Sequence, residues 1–192
     1  MPALILASTS PYRRDLLTRL GVAFEVIAPG VNEVHVGGES AADRALRLAQ
    51  EKARAVGRAH PGAVVIGSDQ VAATGDTLLD KPGDAARARE QLAALSGHSA
   101  RFYTACALYG ERAGVHLAHV DTTTVMFRGL SGDEIERYVA HERPFDCAGG
   151  FKVEALGICL FDYIESVDPT ALIGLPLIWL AGALRGAGYR LP

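Results

Sequence analysis

The chain has 192 residues, of which 49% are hydrophobic and 21% are charged. This is enough apolar material for a sizeable core and is not the composition of a disordered chain. Its 19 basic and 22 acidic residues give a net charge of −3, which argues against a protein that coats nucleic acid, because such proteins carry a basic excess or stripe. The sequence contains three cysteines and no CxxC pair, so we expect neither a disulfide framework nor a zinc site.

Two further observations concern location. No charged-then-apolar signal peptide opens the sequence. The longest apolar run, residues 171–184, is shorter than the roughly 18 residues expected of a membrane-spanning helix. We therefore expect a cytoplasmic protein that contacts no membrane and keeps its cysteines reduced.

Strand-like and helix-like segments alternate along the whole chain, which is typical of an α/β fold. Several predicted helices begin at a capping residue, as at Ser10, Ser40 and Ser131. Hairpins and helical crossovers both occur, so the sheet should be mixed. The predicted strands cover residues 3–7, 24–28, 63–67, 70–74, 77–81, 101–109, 115–127 and 158–164, and the predicted helices cover residues 11–20, 41–59, 84–95, 131–141 and 172–184.

The first predicted helix carries two cations in its first turn. Arg13 and Arg14 oppose the helix dipole there, at a cost of about 0.3–1 kcal/mol each, and the free N–H groups of that turn need an acceptor. A bound phosphate would accept from those groups and pair with arginine, and Ser8 and Ser10 would add hydroxyl donors. The alternative is a solvated turn whose arginines point outward.

The second predicted helix has one apolar stripe with a lysine beside it. Lys52 lies next to this stripe rather than opposite it, so its side chain either snorkels at the edge of the core or reaches into a cleft. Glu33 lies in the loop that precedes this helix, where a carboxylate is usually solvated. The stripe consists of Ala42, Leu46, Ala49, Ala53 and Val56.

The buried strand predicted at residues 63–67 leads directly into Asp69. Ligands of α/β sheets collect beyond the carboxyl ends of strands, so Asp69 could bind a divalent ion or activate water, although an aspartate at this point often only caps a turn. A two-residue turn at Gly75–Asp76 would pair Gln70 with Lys81. Asp69 and Lys81 would then lie together, either as metal and phosphate ligands or as a surface ion pair.

Two aromatic residues are open to two interpretations. Phe151, within the glycine-containing stretch 149–154, and Tyr12 could each pack in the core or stack on a base. The sequence contains no P-loop, GxGxxG or GxSxG motif and no HxxxH spacing, so kinase, Rossmann oxidoreductase and serine hydrolase functions lack support.

Taken together, these segments resemble the Maf family, which is named for inhibition of septum formation. The resemblance covers essentially the whole chain. It implies one domain over residues 1–192, with an elongated two-lobed α/β fold around a twisted mixed β-sheet, like that of the Ham1-type inosine triphosphate pyrophosphatases, and an active cleft between the lobes. The residues that carry the resemblance follow the family order: 4–14, Glu33, 51–53, 67–69, 80–82 and 149–154.

The resemblance implies a nucleoside triphosphate pyrophosphatase that needs Mg²⁺ or Mn²⁺ and releases pyrophosphate from the triphosphate. Asp69 is then the residue that deprotonates the attacking water, directly or through the metal. The other implied roles are neutralisation of the triphosphate by Arg13, Lys52 and Lys81, hydroxyl donation by Ser8 and Ser10, metal binding by Glu33 and Asp69, and recognition of the base by Tyr12, Gln70 and Glu154.

The residues around the implied base site resemble the branch of the family that prefers 7-methyl-GTP. Its methylated base is cationic, which favours stacking on Tyr12 and contact with the Glu154 carboxylate. Asn32 and Asp80 depart from the family pattern, where an acidic residue and a glycine are common. The alternatives are a dTTP/UTP pyrophosphatase of the same family and a division-arrest binding protein with vestigial hydrolysis. Family members are often dimers, so the resemblance also implies a homodimer.

Overall fold

A computed structural model of the protein describes residues 2–75 and 77–192. Strands and helices alternate along these residues, and the mixed α/β class predicted from the sequence is confirmed. The strands are β1 (Leu4–Ala7), β2 (Glu25–Ile27), β3 (Val64–Thr74), β4 (Thr77–Leu79), β5 (Ser99–Gly110), β6 (Val115–Phe127) and β7 (Phe161–Glu165). The α-helices are α1 (Pro11–Thr18), α2 (Ala41–Ala59), α3 (Ala85–Leu95), α4 (Gly132–Glu142) and α5 (Leu177–Gly186), and 3₁₀ helices cover Ala148–Gly150, Leu156–Leu160 and Ala171–Ile173.

The strands form one mixed sheet in the order β2-β1-β3-β5-β6-β7, and β4 pairs with β3. β1 is parallel to both β2 and β3, and these parallel neighbours are connected through α1 and α2, since parallel strands need a crossover connection. β4 is antiparallel to β3, and β7 is antiparallel to β6. The predicted mixture of hairpins and crossovers is therefore confirmed.

Residue contacts divide the chain into two compact units. The first unit combines the chain up to Gln70 with Tyr103–Asp121 and Asp168–Pro192, and the second combines Val71–Phe102 with Thr122–Val167. The core of the first unit is aliphatic and draws on β1, β3, β5, α1 and α5. Its members include Leu6, Leu17, Ile66, Leu108, Leu175 and Leu180.

β3 is longer than the sequence suggests, because two predicted strands form one. It pairs with β1 as far as Gly67 and then continues to Thr74, so Asp69 lies within the strand and not at its end. The predicted pairing of Thr74 with Thr77 is confirmed, and Gly75 has a φ of +55°, as the first central position of such a turn requires. Asp76 lies outside the described residues.

The ladder between β3 and β4 is shorter than predicted. It covers three described pairs and ends where Ala72 faces Leu79. The predicted pair of Gln70 with Lys81 is not part of this ladder, because β4 ends at Leu79 and Pro82 follows Lys81 without an N–H group to donate.

Two predictions near the C-terminus are wrong in their boundaries. Residues 158–160, predicted as strand, belong to the 3₁₀ helix Leu156–Leu160, and β7 begins at Phe161. The single helix predicted over residues 172–184 is broken. Gly174 adopts a φ of +123°, outside the helical region, and Pro176 lacks the N–H that a continuing helix would use. No helix among the described residues is long and apolar enough to cross a membrane.

Candidate functional site

The site in the first unit begins with a close approach between α2 and β3 at Gly67. A Cβ atom on Gly67 would collide with the carbonyl oxygen of Ala49 and would lie 2.6 Å from the backbone nitrogen of Ala53. Only glycine therefore fits between this strand and the helix backbone. Residues two apart on a strand share a face, so Asp69 faces the same side as the missing Gly67 side chain, and Lys52 directly precedes Ala53.

This approach produces a cluster of Lys52, Asp69 and Glu33. The ammonium nitrogen of Lys52 lies 2.6 Å from Asp69 Oδ1 and 2.6 Å from Glu33 Oε1. Lys52 and Asp69 are each only 6% exposed, whereas the Glu33 side chain is 53% exposed. Buried charges require partners, and here an ammonium is shared by two carboxylates. Glu33 is thus not merely solvated, and the structure brings these three predicted residues together.

The burial of Lys52 corrects the predicted stripe of α2. The buried face of the helix is Ala45, Leu48, Ala49, Lys52, Ala53, Val56 and Gly57. Ala42 and Leu46, which were assigned to the stripe, are only half-buried. Lys52 therefore lies within the buried face and not beside it, because its ammonium finds carboxylate partners there.

Arg13 also belongs to this site. Its Nε donates a hydrogen bond of 2.9 Å to the carbonyl oxygen of Gly174, which takes one of the five N–H donors of a guanidinium. Burial lowers the pKa of Arg13, while the charges of Asp69 and Glu33 act to raise it. An arginine stays protonated in proteins, so a cation faces the two carboxylates. Arg14, in contrast, is exposed and pairs with Asp15 at 3.2 Å, as in the solvated alternative.

Ser8 and Ser10 shape the start of α1. The Ser8 hydroxyl, which is buried, accepts from the backbone N–H of Ser10 at 3.1 Å. The Ser10 hydroxyl accepts from the backbone N–H of Arg13 at 3.4 Å and so caps the helix, as predicted. A hydroxyl that accepts one bond can still donate another. Donation from Ser8 and Ser10 to a phosphate therefore stays a prediction.

The amide nitrogen of Gln70 is engaged by the first unit itself. It donates to Thr104 Oγ1 at 2.9 Å, to the Ala171 carbonyl at 3.1 Å and to the Leu172 carbonyl at 3.0 Å. Recognition of a base by Gln70, which remains a prediction, would therefore use its Oε1 atom as an acceptor. Sequence reasoning missed these anchors, because main-chain carbonyls leave no signature in a sequence. The only signal was the glycine and proline that interrupt the apolar run near residue 174.

The other predicted residues have simpler surroundings. Tyr12, in the first unit, is half-buried. Lys81 and Glu154 belong to the second unit, where both are exposed. Their proposed contacts with triphosphate and base stay predictions.

The surroundings of Phe151 decide between the two interpretations of this residue, core packing and base stacking. It is 5% exposed and contacts three other phenylalanines edge to face, with ring centroids 4.9–5.6 Å apart. Such contacts are typical of a packed aromatic core. Phe151 is therefore a core residue of the second unit, and the stacking interpretation is wrong for it. Its partners are Phe102, Phe127 and Phe161.

The donor atoms of the cluster suit a hard divalent cation. Glu33 and Asp69 each place an oxygen 2.6 Å from the same nitrogen, so the two oxygens lie within twice that distance of each other. Mg²⁺ is commonly held by one or two carboxylates and completes its shell with water and phosphate oxygens. No group of three or more His, Cys, Asp or Glu side chains that could hold a metal occurs in residues 2–75 and 77–192.

Comparison with solved structures supports the predicted fold. The chain is similar to a HAM1 protein from Coxiella burnetii, with a TM-score of 0.52 and 17% identity over 97% of this chain and 100% of that chain. It is also similar to the Staphylococcus aureus Ham1 protein, with a TM-score of 0.54 and 16% identity over 96% and 98% of the two chains. At this identity the similarity concerns the fold alone, and it confirms the predicted Ham1-like architecture.

Sequence comparison identifies the family. A protein named 7-methyl-GTP pyrophosphatase from Xanthomonas oryzae pv. oryzae (strain MAFF 311018) is 54% identical over 192 residues, which is 100% of both chains. A protein of the same name from Ralstonia nicotianae is 50% identical over 99% of this chain and 98% of its own. The family model described as Maf-like protein matches residues 3–187. The chain therefore belongs to the Maf family.

Proposed function

We propose that this protein is a metal-dependent pyrophosphatase that hydrolyses 7-methyl-GTP to 7-methyl-GMP and pyrophosphate. The observation that carries the proposal is the cluster of Lys52, Asp69 and Glu33 with Arg13 beside it, which combines two carboxylates with two cations in a largely buried setting. The relatives that are at least half identical over nearly their full lengths bear the name 7-methyl-GTP pyrophosphatase, which supports this substrate over dTTP or UTP.

The cations serve to bind and orient the triphosphate. Arg13 presents its remaining guanidinium donors to phosphate oxygens, since one donor is held by the Gly174 carbonyl. Lys52 holds one oxygen of Asp69 at 2.6 Å and so fixes the direction of that carboxylate. In phosphoryl transfer most of the catalysis comes from such positioning and from stabilisation of charge.

Asp69 is the general base of the proposed reaction. Its carboxylate takes a proton from a water molecule, and the water oxygen bonds to the α-phosphorus as the bond from this phosphorus to the bridging oxygen breaks. The electron pair of the broken bond leaves with pyrophosphate, and the proton stays on Asp69 until it passes to solvent. Mg²⁺ or Mn²⁺ held by Glu33 and Asp69 would supply further neutralisation of phosphate charge.

Recognition of the base is assigned to Tyr12, Gln70 and Glu154. A 7-methylguanine ring carries a positive charge, which favours stacking on an aromatic ring and pairing with a carboxylate. Glu154 would accept hydrogen bonds from the N–H groups of the base, and Gln70 would use Oε1, because its amide nitrogen is occupied within the protein.

The test of the reaction is release of pyrophosphate across a panel of 7-methyl-GTP, GTP, dTTP and UTP, with Mg²⁺, with Mn²⁺ and with a chelator. We expect 7-methyl-GTP to give the highest kcat/KM and the chelator to stop turnover. Preference for dTTP or UTP would indicate the other branch of the family, and no hydrolysis of any nucleotide would favour the division-arrest binding protein.

The role of Asp69 is tested by Asp69→Asn. Removal of a general base costs about 10²–10⁴-fold in rate, so we expect turnover to fall at least about a hundredfold while circular dichroism shows a folded protein. Asp15→Asn is the matched control, because Asp15 is an exposed aspartate on α1, and it should retain wild-type turnover. Near-wild-type hydrolysis by Asp69→Asn would show that Asp69 is not the base.

The role of Glu154 is tested by Glu154→Ala. We expect the ratio of kcat/KM for 7-methyl-GTP to that for GTP to fall, because a carboxylate near the base favours the cationic ring, while kcat changes less. Glu165→Ala removes an exposed carboxylate of β7 and should leave the ratio unchanged. An unaltered ratio in Glu154→Ala would remove Glu154 from the base site.

A further inference from the structure

Three main-chain carbonyls of residues 168–174, which we call the anchor segment, accept hydrogen bonds from side chains of the first unit. The Gly174 carbonyl accepts from Arg13 Nε and from Ser68 Oγ, both at 2.9 Å. The carbonyls of Ala171 and Leu172 accept from the amide nitrogen of Gln70 at 3.1 and 3.0 Å. One short piece of chain thus holds a predicted phosphate ligand and two residues of β3.

The two β3 residues held in this way flank Asp69. Side chains alternate between the faces of a strand, so Ser68 and Gln70 face the anchor segment while Asp69 faces α2, where Lys52 holds it at 2.6 Å. The residues immediately before and after Asp69 are therefore held on the face of β3 opposite to the Asp69 carboxylate. The direction of the Asp69 side chain depends on both sets of contacts.

A buried carboxylate holds the anchor segment itself. Asp168 is 2% exposed, and its Oδ1 accepts from the backbone N–H and the hydroxyl of Thr170 at 2.9 and 2.7 Å. Its Oδ2 accepts from the backbone N–H of Ile178 at 2.6 Å, in the first turn of α5, where a negative charge is favourable. The Thr170 hydroxyl accepts in turn from the N–H of Leu177 at 2.9 Å. Asp168 thereby ties the segment to the start of a core helix.

We propose that Asp168 and the anchor segment form the positioning element of the active site, in which the Gly174 carbonyl aims Arg13 at the phosphates and the segment holds β3 on both sides of Asp69. A carbonyl is a neutral acceptor, so it orients the guanidinium without cancelling its charge, as a carboxylate partner would. This inference rests on the proposed function, because it takes Arg13 as a phosphate ligand and Asp69 as the base.

Gly174 offers the most direct perturbation. Its φ of +123° is rare for any residue with a side chain, and an added Cβ would lie 3.4 Å from Arg13 Nε and 3.6 Å from Arg13 Cγ. Gly174→Ala therefore strains the backbone at the carbonyl that holds Arg13 and places a methyl group in van der Waals contact with the Arg13 side chain. Gly188→Ala is the matched control, because Gly188 has a φ of +89° and open space around the Cβ position. It imposes backbone strain without any contact with Arg13.

Two measurements on these variants test the inference. Alanine keeps the main-chain carbonyl, but relief of the strained φ shifts this carbonyl out of line with Arg13 Nε. Because a hydrogen bond to a charged group is among the stronger ones in proteins, we expect Gly174→Ala to raise KM for 7-methyl-GTP about tenfold or more. Titration calorimetry with inorganic tripolyphosphate should show a matching loss of affinity. Gly188→Ala should retain both values, although its unfolding midpoint falls.

A double-mutant cycle separates positioning of Arg13 from a merely structural role. Arg13→Lys keeps the positive charge but removes the Nε donor, so Gly174→Ala should have little further effect on KM or tripolyphosphate affinity in that background. An effect of Gly174→Ala that adds in full to that of Arg13→Lys would overturn the inference. Unchanged KM and affinity in Gly174→Ala alone would overturn it as well.

Two further variants keep the inference testable if Gly174→Ala does not fold. Ser68→Ala removes one contact beside Asp69. Asp168→Asn sets an amide NH2 group against the N–H of either Thr170 or Ile178, because both carboxylate oxygens of Asp168 accept hydrogen bonds. Both variants should lower kcat about tenfold with a smaller change in KM. Wild-type kcat in both would overturn the inference. Wild-type protein that binds tripolyphosphate but hydrolyses no nucleotide would refute the proposed function and the role of the segment at Asp69, while the tripolyphosphate titrations would still test the alignment of Arg13. Failure to bind tripolyphosphate would refute Arg13 as a phosphate ligand and with it the inference.

Discussion

Gly67→Ala is expected to destabilise the protein and to disrupt the charged cluster at the same time. A Cβ contact under 3.0 Å is essentially never seen in proteins, and the new methyl group would breach that limit against backbone atoms of Ala49 and Ala53. Backbone atoms cannot rotate away as the end of a flexible side chain can. The helix α2 must therefore move off β3 and carry Lys52 away from Asp69.

The size of the effect follows from these two consequences. Overpacking a well-packed interior costs about 1–3 kcal/mol, and loss of one partner from a buried ion pair costs about 3–5 kcal/mol when the pair is broken completely. A shift of α2 stretches the bond between Lys52 and Asp69 without removing either group, so we expect a total loss of about 3 kcal/mol. Since domains are typically stable by about 5–15 kcal/mol, the variant should still fold.

Urea denaturation followed by circular dichroism gives the free energies of unfolding. The control is Gly62→Ala, because Gly62 lies in the connection between α2 and β3 and nothing lies within 4 Å of its Cβ position. We expect the control to unfold within about 0.5 kcal/mol of wild type, as surface changes usually do. A Gly67→Ala variant as stable as this control would refute the argument that glycine sets the distance between α2 and β3.

Two other predictions concern thiol reactivity and pH. Burial raises the pKa of Cys106, so a thiol reagent should modify exposed Cys159 in the folded protein and reach Cys106 only on unfolding; peptide mass spectrometry that found Cys106 modified first would contradict this. Hydrogen bonds from the Ser131 backbone and hydroxyl, with a further bond from Arg128, lower the pKa of Glu134 to about 2, against about 4.3 in an unfolded chain. The stabilisation that the ionised Glu134 gives to the folded protein is therefore present above about pH 4.3 and is lost as the pH falls towards 2. Glu134→Gln should be less stable than wild type at pH 7, and the difference between their urea midpoints should narrow by pH 3. A difference that stays constant with pH would contradict the lowered pKa of Glu134.

The parts of the fold that were predictable from the sequence are those set by neighbouring residues. Ser10 caps α1 and Ser131 caps α4, as predicted, because a cap depends on groups within a single turn of chain. The start and end of β6 were also predicted correctly. Its partly alternating apolar and polar residues, bounded by glycine-containing turns, form a pattern that tertiary contacts did not override.

The continuation of β3 through Asp69 was not predictable in this way. A glycine, a serine and an aspartate in succession read as a strand end, since each of them favours turns. In the folded chain the serine and Gln70 bond to distant carbonyls, which satisfies the polar side chains inside the sheet. The strand persists because of partners roughly a hundred residues further along the chain.

Most of the candidate site was predicted by residue type but not by geometry. The sequence placed Lys52 near the core and Glu33 in a loop, and only the folded chain shows that both meet Asp69. Whether a lysine snorkels or is buried depends on whether an opposite charge lies within reach, which is a tertiary distance. For Phe151 the sequence left core packing and base stacking both open. Its three phenylalanine neighbours come from other elements, so only the folded chain shows that it packs in the core.

The first unit is assembled from three separated stretches of chain, and this has a consequence for its synthesis. The stretch Asp168–Pro192 contributes Leu175, Leu180 and Leu184 to the core of that unit and supplies the Gly174 carbonyl to Arg13. Ribosomes add about 5–20 residues per second. Roughly ten seconds or more therefore pass between synthesis of β1 and α1 and synthesis of the C-terminal residues that pack against them. Over that interval the nascent chain exposes apolar strands to solvent, and stalling before Asp168 would leave a ribosome-bound intermediate open to chaperones and proteases.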